Sequence, residues 1–260
     1  MLEIQKPEIV AIATHPEAHK EHVEACAIAG VKVIVCEKPI STSINNAKAM
    51  IDICKKNGST LIIDHPRRFL PLLHNWKTKI QNGDIGEVKQ VSCYYTAGIN
   101  NSGTHLFDLL RFFFGSVESV IGVYNYDSFA PSGDYNIDGF LFFENGVRAS
   151  IHALDVNDYA IFDIDIYSTK GNLKVTDFGM STSFCDVRDC KTFAGYKELN
   201  KEVKHILDES SMWASLASHA IDCADNPDMI PLSSGEDGLE ALKVILAMKE
   251  SADLGKIITV

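Results

Sequence analysis

Two residues of this chain carry side chains suited to moving protons, and both lie where a fold delivers chemistry. Lys38 stands in Glu37-Lys38-Pro39, directly after the apolar run Val31–Cys36. That run reads as a buried parallel strand, and the carboxyl ends of such strands border the crevice where open α/β sheets bind ligands. His105 stands in Gly103-Thr104-His105-Leu106-Phe107-Asp108, at the start of an apolar helix. A lysine on one segment and a histidine on another, brought together by folding, supply acid/base chemistry. The helix dipole disfavours the charged ring at that position, which suits a group that accepts a hydroxyl proton; a capping or core histidine is the alternative.

Further residues could assist. Asp108, one turn after His105, either orients the imidazole or sits as an acid in the first helical turn. Arg67 and Arg68 could hold a substrate phosphate or carboxylate by bidentate contacts, with structural ion pairing the alternative for at least one of them. Other chemistries find no support. There is no Gly-x-Gly-x-x-Gly phosphate loop and no Gly-x-Ser-x-Gly nucleophile elbow. His15, His19 and His22 lack a carboxylate partner in place, and the seven cysteines include no Cys-x-x-Cys pair, so no metal site is expected. Asp163 and Asp165 alternate with apolar residues and read as outward sheet positions.

Composition narrows the partners. A net charge of −11 without a basic block argues against nucleic acid or an anionic membrane. No run approaches a membrane span and no signal peptide is visible, so a soluble protein is expected. An odd, scattered set of cysteines fits a reducing cytoplasm.

The elements that must position these groups fall into two textures. Ile9–Ala13, Val31–Cys36 and Thr60–Asp64 read as strands separated by a helix over 17–29 and one capped by Ser41 or Ser43 that runs to Asn57 and is ended by Gly58. Strand–helix–strand repetition at this spacing predicts right-handed βαβ units and a parallel sheet. After a helix over 70–82 come a strand at Val88–Thr96 and a helix at Thr104–Phe114. Strands are then expected at 117–126, 139–143, 147–154, 162–166 and 173–175, with Asn145-Gly146 as a hairpin signal. Helices at 212–224 and 234–252 close the chain. The expected fold class is therefore α/β: a Rossmann-type parallel sheet over 1–69, then an α/β domain with an open, mainly antiparallel sheet over 70–260.

Taken together, six segments resemble the Gfo/Idh/MocA oxidoreductases: Ala13–His19, Cys36–Pro39, Arg67–Pro71, Gly83–Gly86, Gly103–Asp108 and Gly238–Leu242. Each is weak alone, but they occur in the family's order. The resemblance implies NAD or NADP as cofactor and hydride transfer to or from a sugar, polyol or nucleotide-sugar. It places Thr14, Pro16, His19, Glu37, Lys38 and Pro39 around the nicotinamide half of the cofactor. Lys38 and His105 would be catalytic, with Asn101 and Asp108 beside them and Lys38, Arg68, Asn101 and His105 toward substrate. All of this requires Lys38 and His105 to share one cleft.

Two departures from the family pattern shape the expectation. Asn101 stands where the family often has an aspartate, and an amide cannot accept a proton at neutral pH, so His105 or Lys38 must serve as base. The family also has about 60–70 residues ahead of Glu8, two βα units that carry the phosphate loop. The chain therefore reads as truncated, with weak NAD(P) binding and an exposed sheet edge. A homo-oligomer, dimer or tetramer, is expected through the open sheet face. The alternative is a non-catalytic, partner-binding homologue.

Overall fold

A computed structural model describes residues 2–200, 203–206 and 209–260. A short helix α1 (Leu2–Gln5) leads into β1 (Ile9–Ile12), α2 (Pro16–Ile28), β2 (Val33–Cys36), α3 (Ile44–Asn57) and β3 (Thr60–Ile63). Proline at the first position of α2 costs no hydrogen bond there. Gly58 ends α3 in the left-handed conformation at φ 68°, where its N–H reaches back to the last turn. After a 3-10 turn at Pro66–Phe69 come α4 (Pro71–Gln81), β4 (Val88–Tyr95), α5 (Thr104–Phe114) and β5 (Val117–Tyr124). The strands β6 (Ile137–Phe143), β7 (Arg148–Ala153), β8 (Phe162–Ser168), β9 (Gly171–Thr176) and β10 (Ser181–Asp189) follow, then β11 (Lys197–Leu199) and β12 (Val203–Ile206). Helices α6 (Glu209–Asp225) and α7 (Gly235–Leu254) precede the terminal β13 (Ile258–Thr259).

These elements form two compact units. The first takes residues 1–70 and 210–245, the second 71–209 and 246–260. Residues 210–245 thus pack with the first unit. The reason is burial: Leu216, Ala220 and Cys223 of α6 pack on Val33, Ile62 and Phe69, with Ile9 and Val35 against the same cluster. The first unit's sheet is parallel in the order β1-β2-β3, with Cys36 opposite Ile63 at its carboxyl end. Helix α7 approaches so closely that a Cβ on Gly238 would lie 2.7 Å from Ile63, and one on Gly235 2.8 Å from Ile51. Covered sheets of this kind read as continuous apolar runs, as Val33–Cys36 and Leu61–Ile63 do.

The second unit is built on a ten-stranded sheet in the order β11-β10-β9-β8-β4-β7-β6-β5-β13, with β12 also on β10. Every neighbouring pair is antiparallel except β4 with β7. Alternation sets the faces: Phe162, Ile164 and Ile166 are buried while Asp163 and Asp165 stay partly exposed. The β6–β7 hairpin turns at Asn145-Gly146, with Gly146 at φ 85° and the Val147 N–H donating to Asn145 Oδ1. Six of the seven cysteines are buried, and burial pushes the Cys54 thiol up to about 12. Among the described residues no helix is long and apolar enough to cross a membrane.

Candidate active site

In the first unit the three strand ends and the turns after them carry the polar residues. Beyond β1, Thr14 is exposed and its hydroxyl contacts His22 Nδ1 at 3.2 Å. His19, on α2, is fully buried and spends its ring on backbone: Nε2 lies 3.0 Å from the Thr14 carbonyl, and Nδ1 3.1 and 3.2 Å from those of Pro39 and Ile40. It ties the turn after β1 to the turn after β2. In that second turn the Glu37 N–H donates to the Ile12 carbonyl, the Lys38 N–H to Glu37 Oε2, and the Lys38–Pro39 peptide is cis. Glu37, Lys38 and Pro39 are all partly buried.

Beyond β3 comes Asp64, whose N–H donates to the Cys36 carbonyl at 2.8 Å. Its Oδ1 is buried and has no hydrogen-bond partner among the described residues. Burial, reinforced by the Glu37 charge and opposed by Lys38, pushes this carboxyl up to about 7. Arg68, proposed from sequence to face substrate, is buried. Its guanidinium lies 3.0 Å from Asp237 and donates to the Leu232 carbonyl at 3.2 Å. Asp237 also accepts from the N–H and hydroxyl of Ser234, closing the N-terminus of α7 as a capping box does.

In the second unit, His105 sits one residue into α5, after a π-turn at Ile99–Gly103 closed by the Gly103 N–H on the Gly98 carbonyl. Asp134 organises that turn. Its carboxylate accepts from the N–H groups of Asn100 and Asn101 at 2.8 and 3.2 Å and from the Asn100 amide at 2.7 Å. Lys249, on α7, donates to Asn100 Oδ1 at 2.8 Å, and burial lowers the pKa of its ammonium. Gly98 has to be glycine here. It lies at φ 91°, and a Cβ would come within 2.2 Å of Asp134 Oδ2. Buried Asn136 accepts the Gly98 N–H, and the hydroxyl of buried Tyr95 both donates to and accepts from the Ile137 backbone. Asn101 is exposed, His105 half-buried, and Thr104 and Asp108 are buried.

Comparison with known families gives two matches in the order of these units. The family described as oxidoreductases with an NAD-binding Rossmann fold matches residues 1–65, and the Gfo/Idh/MocA C-terminal domain matches residues 96–174. The chain belongs to the Gfo/Idh/MocA oxidoreductases. D-apiose dehydrogenase of Paraburkholderia graminis is 25% identical over 283 residues, which cover 99% of this chain and 74% of that protein. Inositol 2-dehydrogenase of Rhizobium meliloti is 30% identical over 145 residues, covering 49% of this chain and 44% of that one. The structure of a levoglucosan dehydrogenase in complex with NADH and L-sorbose superposes with a TM-score of 0.81 at 18% identity, over 97% of this chain and 79% of that one. That likeness supports the fold: a small parallel sheet beside a larger, mostly antiparallel one.

The family's cofactor has a nicotinamide end and a pyrophosphate, which place different demands on the first unit. The strand ends fit the nicotinamide end. The N-terminus of α2 has no side-chain cap, leaving amide donors for a polar ligand, and Asp64 has a buried oxygen that makes no hydrogen bond among the described residues. For the pyrophosphate, these 260 residues contain no Gly-x-Gly-x-x-Gly loop. Sequence reasoning missed Asp64, Asp134, Asn136 and Lys249. Only Lys249 carried a signal, as an ionisable residue among the buried Ile245, Met248 and Ser251 of α7.

Proposed function

We propose that this protein is an NAD(P)-dependent oxidoreductase that moves hydride between the nicotinamide and a sugar, a polyol or a nucleotide-sugar. Support comes from both family matches and from relatives named as D-apiose and inositol dehydrogenases. The observation that carries the reading is Lys38 in the turn just past the carboxyl end of β2, next to the partly buried Glu37, with its charge felt by the Asp64 carboxyl at the end of β3. When bound, the nicotinamide would supply the hydride chemistry. Thr14, Pro16, Glu37, Lys38 and Pro39 would border it, with His19 holding their two turns together. Lys38 polarises the reacting oxygen, and the hydroxyl proton goes to His105 or Lys38, because Asn101 cannot take it. Arg68 serves the fold through Asp237.

The test is a panel of sugars and polyols with NAD⁺ and NADP⁺, followed by the absorbance of the reduced cofactor. Turnover is expected, with most of it lost in Lys38→Ala and in His105→Gln. Wild-type rates in either variant refute its role.

A second reading, a non-catalytic oligomeric subunit, draws on the second unit's sheet. Phe140 of β6, Arg148 and His152 of β7 and Tyr167 of β8 are exposed on one face, where Tyr94 of the intervening β4 stacks on His152 at 5.3 Å. We propose this face as a homo-oligomer contact. Light scattering that gives a monomer at assay concentration refutes it.

A further inference from the structure

The loop between β5 and β6 is pinned from within yet keeps aromatic side chains in water. Buried Asn136 donates to the Ser128 hydroxyl at 2.9 Å and to the carbonyls of Phe129 and Leu154 at 3.1 and 3.3 Å. Asn125 donates its N–H to the Asn136 carbonyl, and its amide to Asp138 and the Ala153 carbonyl. Three tyrosines stand on this scaffold. Tyr124 and Tyr126 stack at 5.4 Å and 27°, and Tyr135 meets Tyr124 edge-on at 5.3 Å and 66°. The Tyr124 hydroxyl donates to Asp253 at 2.9 Å. Tyr126 is nevertheless 81% exposed, and Tyr135 50%. A fixed loop that holds large aromatic faces in water suits recognition, because little order remains to be lost when a ligand arrives.

Place and charge choose the ligand. The Tyr135 carbonyl accepts the Ile99 N–H at 2.8 Å, and the Tyr135 N–H donates to the same Asp134 carboxylate that holds Asn100 and Asn101. The tyrosines therefore adjoin the π-turn before His105, all within the second unit. The charges tied to them are the carboxylates of Asp253 and Asp134, while the Lys249 ammonium is directed at Asn100. Carboxylates repel phosphate and accept hydroxyl hydrogens. Rings packed this closely leave no gap for a cation between them, so what they offer is outer ring face. The negative face of an aromatic ring attracts the C–H bonds of a sugar ring, whose hydroxyls lie at its rim. We propose that Tyr124, Tyr126 and Tyr135 form a stacking platform for an uncharged sugar or cyclic polyol, with further acceptor positions of Asp253 taking hydroxyls at its edge. The inference rests on the oxidoreductase reading in taking that ligand as the substrate, and it narrows the class: a neutral ring, not a nucleotide-sugar.

The deciding experiment follows the ring signals of carbon-13 tyrosine in the full chain as each neutral sugar and polyol of the panel, and UDP-glucose, is added. Wild type, Tyr126→Leu and Tyr126→Trp are compared. Saturable movement of the Tyr126 and Tyr135 signals is expected with a neutral compound in wild type, with UDP-glucose at least about fivefold weaker. Tyr126→Leu, at an exposed position that leaves the fold intact, should weaken binding about tenfold, read at Tyr135, and Tyr126→Trp should keep it. No saturable movement, or equal binding by Tyr126→Leu, overturns the platform, and tighter binding of UDP-glucose overturns the uncharged ligand. Movement on raising the protein concentration alone means that a second copy covers the rings, and also overturns the proposal. This readout needs no turnover, so it is independent of the oxidoreductase reading, which fails instead if wild type oxidises nothing in the panel. On a substrate that wild type turns over, Tyr126→Leu should raise KM about tenfold and keep kcat within about twofold. An unchanged KM there counts against the platform as substrate site and overturns it.

Discussion

Replacing Asp237 with alanine separates a structural arginine from a substrate-binding one. The Arg68 side chain is 7% exposed and lies 3.0 Å from an Asp237 that is 27% exposed. Leaving a buried charge without its partner costs about 3–5 kcal/mol, and the partial exposure of Asp237 places this case near the lower end. The same carboxylate accepts from Ser234 at the start of α7, a capping contact that contributes about 1 kcal/mol. Asp237→Ala should therefore cost about 4 kcal/mol. Arg68→Met removes the charge along with its ion pair, so the double variant should be little worse than Arg68→Met with the cap lost. That gives a coupling of about 2–3 kcal/mol for a contacting pair. Urea denaturation of the four proteins, followed by far-ultraviolet circular dichroism, measures it. Additive effects, with coupling below about 0.5 kcal/mol, would refute the reasoning and return Arg68 to the pool of residues open to a substrate anion.

Asp64 also links stability to pH. Its carboxyl rises from 3.8 to about 7 on folding. A carboxyl raised in this way favours the folded state while protonated, so wild type should lose up to ~4 kcal/mol as pH climbs from about 4 to about 7. Asp64→Asn lacks that slope. Denaturation at about pH 4.5 and about pH 8 should show the variant gaining on wild type by several kcal/mol; a constant difference contradicts the raised carboxyl. His19→Ala should cost about 3 kcal/mol, since it empties a fully buried site and strips partners from three carbonyls; a loss under about 1 kcal/mol in urea would show that the turns hold without it. Gly98→Ala should cost roughly 3 kcal/mol through its backbone conformation and its clash with Asp134. Amide exchange at Asn100 and Asn101 should speed up in that variant, and unchanged protection would show that Asp134 does not hold the π-turn.

Much of this architecture was legible in the residues because it depends on local pattern. The apolar runs before Glu37 and Asp64, the helix stop at Gly58, the start of α5 at Thr104 and the Asn145-Gly146 turn all lie where periodicity and turn chemistry put them. Pairing across long sequence distances was not legible. The parallel contact of β4 with β7 and the return of α6 to the first unit depend on which apolar stripe finds which, and a stripe such as Leu216, Ala220 and Cys223 announces only that it will be buried. Strand β10 escaped notice because Ser181-Thr182-Ser183 breaks the apolar alternation at its start.

At the candidate site, sequence identified residue types better than their tasks. His19 lies at the expected turn, but its ring nitrogens are occupied by backbone carbonyls. Spacing shows Arg68 only as a candidate anion ligand, while its partner Asp237 is 169 positions away and cannot be inferred from it. Asp64 reads as an ordinary polar residue ending a strand; only burial, which a sequence does not state, turns it into a group that titrates near neutrality.

The distribution of the thiols has a practical consequence. Cys190 alone among the seven is half-buried, lying where β10 runs out toward β11. A maleimide dye applied to the native chain should therefore couple at a single point, because the other sulfurs are shielded from the reagent. That gives a fluorescent or spin reporter on the second unit without altering the gene, and any additional labelled position would reveal transient opening of the interior.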